Sequence, residues 1–161
     1  MDTYKKILKL SNLKRKILRL RSQGQTIAFT NGCFDILHFG HVSYLEKAKK
    51  NRILVVGLNS DQSIRKIKGP QRPIIKEAYR AGLLAALECV DFVTIFNEET
   101  PYSVIKVLKP DILIKGADWK GKKIVGADLV KSYGGKVEYV SYVEGCSTTK
   151  IIEKIQHGSH Y

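Results

Sequence analysis

From Gly24 onward the chain alternates between two hydrophobic rhythms. Short apolar runs rich in β-branched residues predict strands at 26–30, 53–58, 92–96, 112–114 and 137–140. Between them, stretches with apolar residues at helical spacing predict helices at about 40–50, 76–87, 101–108, 127–133 and 148–156. Pro101 suits a first helical turn, where its missing N–H would have no partner anyway, while Pro110 and Gly134-Gly135 read as stops. Strand and helix taken in turn predict an α/β fold, a Rossmann-like doubly wound parallel sheet of about five strands with helices on both faces.

Ahead of that rhythm, Ile7, Leu10, Leu13, Ile17 and Leu20 recur at helical spacing. The expected organisation is a basic amphipathic helix within 1–24 packed on the domain, one domain over 25–156, and a short tail, 157–161. Residues 1–22 carry eight basic side chains against Asp2 alone, which is +7 of a net charge of +13. Such a block can contact nucleic acid or anionic lipid, so a nucleic-acid-binding module stands as an alternative. It is not the favoured one, because the informative residues gather at predicted strand ends rather than in an aromatic and basic stripe.

Hydrophobic content of 43% and charged content of 27% fit a globular protein in water. No apolar run approaches the roughly 20 residues needed to span a membrane, and the first 22 residues lack the apolar block of a secretory signal. A cytoplasmic protein without a membrane partner is expected. Cys33, Cys89 and Cys146 show neither CxxC nor Cys/His ligand spacing, so reduced thiols are expected rather than a disulfide framework or a protein-held metal.

In open parallel sheets ligands sit beyond the carboxyl ends of the strands. Segments 31–41, 59–72, 97–100, 115–120 and 141–149 should therefore converge. The first reads Asn31-Gly-Cys-Phe-Asp-Ile-Leu-His-Phe-Gly-His41, a glycine-containing turn between strand and helix that ends in the histidines His38 and His41. Gly32 and Gly40 allow close backbone approach, a helix opening near His41 aims N–H groups at the same point, and two imidazoles add donors. That combination suits the phosphates of a nucleotide.

Within 65–73, Lys66, Lys68 and Arg72 stand among Gly69, Pro70 and Pro73, which predicts a cation-bearing loop over the phosphates. The stretch Lys115-Gly116-Ala117-Asp118-Trp119 offers an aromatic plane and a carboxylate that could wall a base or a sugar, although Trp119 could equally be core. At Ser147, Thr148 and Thr149, hydroxyls stand where the last helix begins and can cap it or contact phosphate.

These residues resemble the cytidylyltransferase-like nucleotidyltransferases, and more closely the bacterial D-glycero-β-D-manno-heptose 1-phosphate adenylyltransferases. The likeness runs over about 26–155 and rests on TNGCFDILHFGH, NSD at 59–61, KG followed by RP within 68–73, KGADW at 115–119 and GCSTT at 145–149. It implies transfer of AMP from ATP to a heptose 1-phosphate, by direct in-line attack at the α-phosphorus, with release of pyrophosphate for lipopolysaccharide core assembly. It also implies a magnesium ion carried on ATP rather than in a protein cage, and a homodimer.

On that resemblance His38, His41 and Lys68 are the catalytic set. Asn31, Gly32, Cys33, Phe34, Gly40, Lys115, Gly116, Asp118, Ser147, Thr148 and Thr149 bind the nucleotide, and Asn59, Arg72 and Glu144 bind the sugar phosphate, with Asp35 holding the loop. Glycerol-3-phosphate cytidylyltransferases are similar but carry an arginine where this chain has Tyr142 and Val143. A cytidylyltransferase acting on glycerol 3-phosphate or another sugar or alcohol phosphate is thus the nearest rival.

Overall fold

The computed structural model describes residues 3–141, 143, 145 and 147–158. Strands β1 (Ile27–Gly32), β2 (Ile53–Asn59), β3 (Phe92–Phe96), β4 (Ile112–Gly116) and β5 (Lys136–Val140) form one parallel sheet in the order β3-β2-β1-β4-β5. The α-helices are α1 (Leu10–Ser22), α2 (Phe39–Lys49), α3 (Asp61–Lys68), α4 (Glu77–Ala86), α5 (Tyr102–Leu108), α6 (Ala127–Ser132) and α7 (Thr148–His157).

Alternation along the strands sends successive side chains to opposite faces and so divides the core in two. Ala28, Leu54, Val56 and Ile114 pack with Tyr44, Leu45 and Ala48 of α2 and Leu84 and Ala85 of α4 on one face. Ile27, Phe29, Val55 and Leu113 pack with Leu13 and Ile17 of α1, Ile105 and Leu108 of α5 and Val130 of α6 on the other. Central strands covered on both faces explain the continuous apolar runs. At Gly57 an added Cβ would come within 2.6 Å of the Phe29 ring, so that glycine is required by packing between neighbouring strands.

The basic front segment differs from the single helix expected. Thr3–Lys6 is a 3-10 turn, Ile7 forms a β-bridge with Val93, and the Leu8 N–H donates to the Val93 carbonyl at 2.9 Å. This short addition covers the β3 edge, whose backbone groups would otherwise be open to pairing. The α-helix begins only at Leu10.

The other difference is α3. Gly69, Pro70 and Pro73 do end regular structure, but Arg65, Lys66 and Lys68 belong to the last turn of a helix rather than to the loop. That helix is started by Ser60, whose Oγ accepts from the Ser63 N–H at 3.1 Å, and by Asp61 in the first turn, where a carboxylate meets the positive dipole end. Among the described residues no helix is long and apolar enough to cross a membrane.

Candidate active site

The strand order reverses beside β1, since the chain runs outward through β2 and β3 and then returns to β4 on the other flank. Carboxyl ends at such a switch point leave a crevice. Asn31, Gly32, Cys33, Phe34, His41, Tyr44, Lys115 and Gly116 line a cavity of about 120 Å³ there. Ligand pockets usually exceed ~300 Å³, so this cavity by itself is smaller than a typical ligand site.

His38 is the N-cap residue of α2 and His41 lies within the first turn, so the helix opens slightly earlier than the sequence pattern placed it. Their rings stack with centroids 3.8 Å apart and planes at 22°. Both His38 ring nitrogens and His41 Nδ1 are buried without a hydrogen-bond partner among the described residues. Burial lowers the His38 pKa, and burial, the His38 ring and the Lys68 charge together push His41 down to about 4. The free protein thus holds a neutral His41, and a polyanion arriving there would favour proton uptake.

Phe34 supports this pair. Its ring centroid lies 5.1 Å from that of His41, and its backbone is left-handed at φ 43°, which costs about 1–2 kcal/mol for a residue with a Cβ. A Cβ on Gly32 would meet the Phe34 ring at 3.0 Å, so packing against that ring favours glycine here.

Across the crevice Lys115 Nζ donates to Asn31 Oδ1 at 2.6 Å and lies 5.5 Å from the Trp119 ring centroid. Burial pulls its pKa down to about 8, against the opposing charge of Asp118. Gly116 caps the 3-10 turn Ala117–Trp119, in which Asp118 and Trp119 are exposed, so Trp119 is not core. The start of α7 reaches the loop after β1, where Thr148 Oγ1 donates to the Ile36 carbonyl at 3.4 Å, while Ser147 Oγ caps the helix by accepting from the Lys150 N–H at 3.1 Å. Thr149 is exposed beside them, whereas Glu144, Tyr142 and Cys146 lie outside the described residues.

Two residues expected on the sugar phosphate are engaged elsewhere. Asn59 is 3% exposed and its Nδ2 donates to Ser63 Oγ at 2.9 Å, so it closes the β2 to α3 junction instead of facing the crevice. Arg72 pairs through Nε with Asp35 Oδ2 at 2.7 Å rather than standing as a free cation. Asp35 Oδ1 also accepts from the Ile74 and Ile75 N–H groups at 2.8 and 2.9 Å, which ties the loop after β1 to the segment before α4. Lys68, at the end of α3, remains exposed and its charge reaches His41 and Cys33. The Cys33 thiol is raised by burial, which argues against a nucleophile.

Arg80 was not singled out in the sequence, yet it is 1% exposed and organises this wall. Its Nη1 donates to the Cys33 and Asn59 carbonyls at 2.6 and 2.9 Å, Nη2 to Asp61 Oδ1 at 2.7 Å, and Nε to the Ile75 carbonyl at 2.8 Å. One guanidinium thereby joins the β1 loop, the β2 end, α3 and the segment before α4. The only hint in the sequence is a lone arginine in an alanine- and leucine-rich helix, which burial alone makes meaningful.

Residues 29–154 match a family model described as cytidylyltransferase-like. The chain is 53% identical over 159 residues to the bifunctional protein HldE of Geotalea uraniireducens, covering 98% of this chain and 32% of that protein. With the HldE protein of Campylobacter fetus it shares 55% over 155 residues, covering 92% and 33%. The chain thus spans about a third of the length of the curated relatives it matches. A lipopolysaccharide core biosynthesis protein from Thermoplasma volcanium superposes with a TM-score of 0.62 at 30% identity, over 74% of this chain and 98% of that one. A pantoate-beta-alanine ligase from Francisella tularensis gives a TM-score of 0.56 at 18% identity over 94% and 77%, a likeness of fold alone.

Proposed function

The chain belongs to the cytidylyltransferase-like family, and from that premise we propose that it transfers AMP from ATP to D-glycero-β-D-manno-heptose 1-phosphate, releasing pyrophosphate. The observation that carries this reading is the stacked His38 and His41 pair, with ring nitrogens unpartnered among the described residues, at the start of α2. Ring donors and helix N–H groups aimed at one point suit a phosphate chain rather than a neutral ligand. More than half identity to proteins named HldE, and the likeness to a lipopolysaccharide core biosynthesis protein, support a heptose acceptor and ADP-heptose as product for lipopolysaccharide core assembly.

In the proposed reaction His38 and His41 grip the phosphates and donate as charge builds on them. Lys68 adds its charge from α3, and Ser147, Thr148 and Thr149 contact the triphosphate from α7. Asn31, Gly32, Cys33, Phe34 and Gly40 shape the nucleotide cleft, and Lys115, Gly116 and Asp118 flank the nucleoside. Arg72 and Glu144 remain candidates for the sugar phosphate, the former with only the groups that Asp35 leaves it.

Among the described residues no three His, Cys, Asp or Glu converge into a metal cage. A magnesium ion accompanying ATP would be held mainly by its phosphates and water, where it would neutralise charge. The nucleic-acid alternative is not favoured, because candidate residues of β1, α2 and β4 line one crevice and α1 buries Leu13 and Ile17 in the core. The reaction belongs to the cytoplasm, and a homodimer would be read from sedimentation.

The test is to supply magnesium, heptose 1-phosphate and each of the four nucleoside triphosphates in turn and to follow pyrophosphate. Release with ATP is expected. A response to CTP alone would overturn the adenylyl assignment in favour of the cytidylyltransferase reading.

A further inference from the structure

Lys115 is more deeply placed than a residue that merely flanks a nucleoside. It lies in β4, while Lys68 comes from the helix after β2, so the two cations approach from opposite flanks of β1. An ammonium has three donors, of which Asn31 Oδ1 takes one at 2.6 Å, leaving others for the cavity that Lys115 lines together with His41. A largely buried cation with an amide oxygen, an indole face and only the exposed Asp118 carboxylate for company is incompletely compensated, since burial still outweighs that charge, and a further anion would complete it. An uncharged base would give it acceptors but no compensating charge. The cavity's 120 Å³ suits one phosphoryl group between His41 and Lys115 better than a nucleoside.

We infer that this group is the α-phosphoryl and that Lys115 is a further catalytic residue, donating to its non-bridging oxygens, with Asn31 as the residue that positions it. The inference rests on the proposed adenylyl transfer. In that step an oxygen of the sugar phosphate forms a bond to the α-phosphorus. The bond from the α-phosphorus to the oxygen bridging the β-phosphorus breaks, and its electron pair leaves with pyrophosphate. Lys115 keeps its proton and meets the charge that gathers on the five-coordinate phosphorus without having to reorganise.

The groups around Lys115 are Asp118 on the turn after it, His41 and Tyr44 on α2, Cys33 on the β1 loop and Tyr139 paired beside it on β5. His41 titrates far lower and Cys33 is raised above its ordinary 9.0, so neither accounts for a change near pH 8. The ratio kcat/KM for ATP should accordingly decline as pH rises through about 8, where Lys115 of the free protein loses its charge, while the bound phosphoryl raises that pKa and moves any decline in kcat to higher pH.

The experiment compares Lys115→Met, Lys115→Arg and Asn31→Ala with the unaltered protein. It measures kcat and KM for each substrate across pH, affinity for a non-hydrolysable ATP analogue by calorimetry, and thermal unfolding. Lys115→Met should lower kcat by about 10²–10³ while changing analogue affinity far less. Asn31→Ala should lower kcat by a smaller factor, and Lys115→Arg, whose charge persists, should retain part of the activity and lack the decline near pH 8. Unchanged kcat in Lys115→Met overturns the inference, as does a loss confined to KM with altered preference among the four nucleotides, which would make Lys115 a reader of the base. If Lys115→Met does not fold, an undisplaced alkaline limb in Lys115→Arg decides against it. Failure of the unaltered protein to release pyrophosphate with any of the four nucleotides sinks the proposed function and this inference together, whereas an active protein with an indifferent Lys115 sinks the inference alone.

Discussion

Asp35 and His38 stand three residues apart in one loop, and their polar atoms meet opposite fates. Asp35 is 2% exposed and takes two backbone N–H groups and the Arg72 guanidinium. His38 has both ring nitrogens buried without a partner among the described residues. On the wall facing α3 and α4, Arg80, Asn59 and Asp35 spend their capacity on the protein, and the return is a fixed loop. On the crevice side, His38, His41 and Lys115 hold capacity in reserve, which under the proposed function an incoming anion would take up. Buried polar groups are normally satisfied, so a cluster that departs from this beside a switch-point crevice points to a ligand.

The largest effect should come from breaking the satisfied wall. Arg80→Met leaves the Cys33 and Asn59 carbonyls and Asp61 without their donor, and loss of a buried charged partner costs about 3–5 kcal/mol. Urea unfolding should show that loss, and unchanged stability would remove Arg80 from its organising role.

The reserve side should behave in the opposite way. His41→Ala should lower turnover by about 10²–10³ while costing less stability than Arg80→Met, because it gives up ring packing against His38 and Phe34 but, among the described residues, no hydrogen bond at Nδ1. A variant that is destabilised yet fully active would reverse the comparison between the two walls.

Acid titration sharpens the contrast further. His41 is held at about 4 in the folded chain against its ordinary 6.5, so the unfolded chain binds more protons between those values. Stability should be greatest above about 6.5 and decline as pH falls towards 4, and His41→Asn should flatten that decline. Since an anion raises the same pKa, calorimetry of ATP binding near pH 6 in buffers of different ionisation enthalpy should show proton uptake. Proton release would contradict the assigned contact.

The smallest effect is expected where one hydroxyl has a local duty. Ser147→Ala removes the acceptor for the Lys150 N–H, a cap worth about 1 kcal/mol. Hydrogen exchange at the start of α7 should rise, with a larger penalty on KM for ATP if the hydroxyl also meets the triphosphate. Unaltered exchange would discard the capping role.

The sheet was legible because burial on both faces demands continuous apolar strands, and the five predicted runs are the five observed strands to within a residue or two at each end. The α3 helix was not, since the Gly69 and Pro70 break was extended backwards over Arg65–Lys68 while the Ser60-Asp61 start signal went unread. Asn59 shows the same limit at a site residue: a polar side chain after a strand reads as a ligand contact until its burial against Ser63 is known.

Chain order and residue type were enough to determine the alternation of elements, the crevice end of the sheet and the presence of HxGH there, because these follow from periodicity and local backbone preference. Only the folded arrangement decided that two imidazoles stack with nitrogens to spare, that Arg80 is buried among three carbonyls and a carboxylate from four segments, and that Lys115 reaches Asn31 across 84 positions of sequence. Hydrogen-bond satisfaction and desolvation are properties of neighbours in space, and neighbours this far apart along the chain leave no local pattern to read.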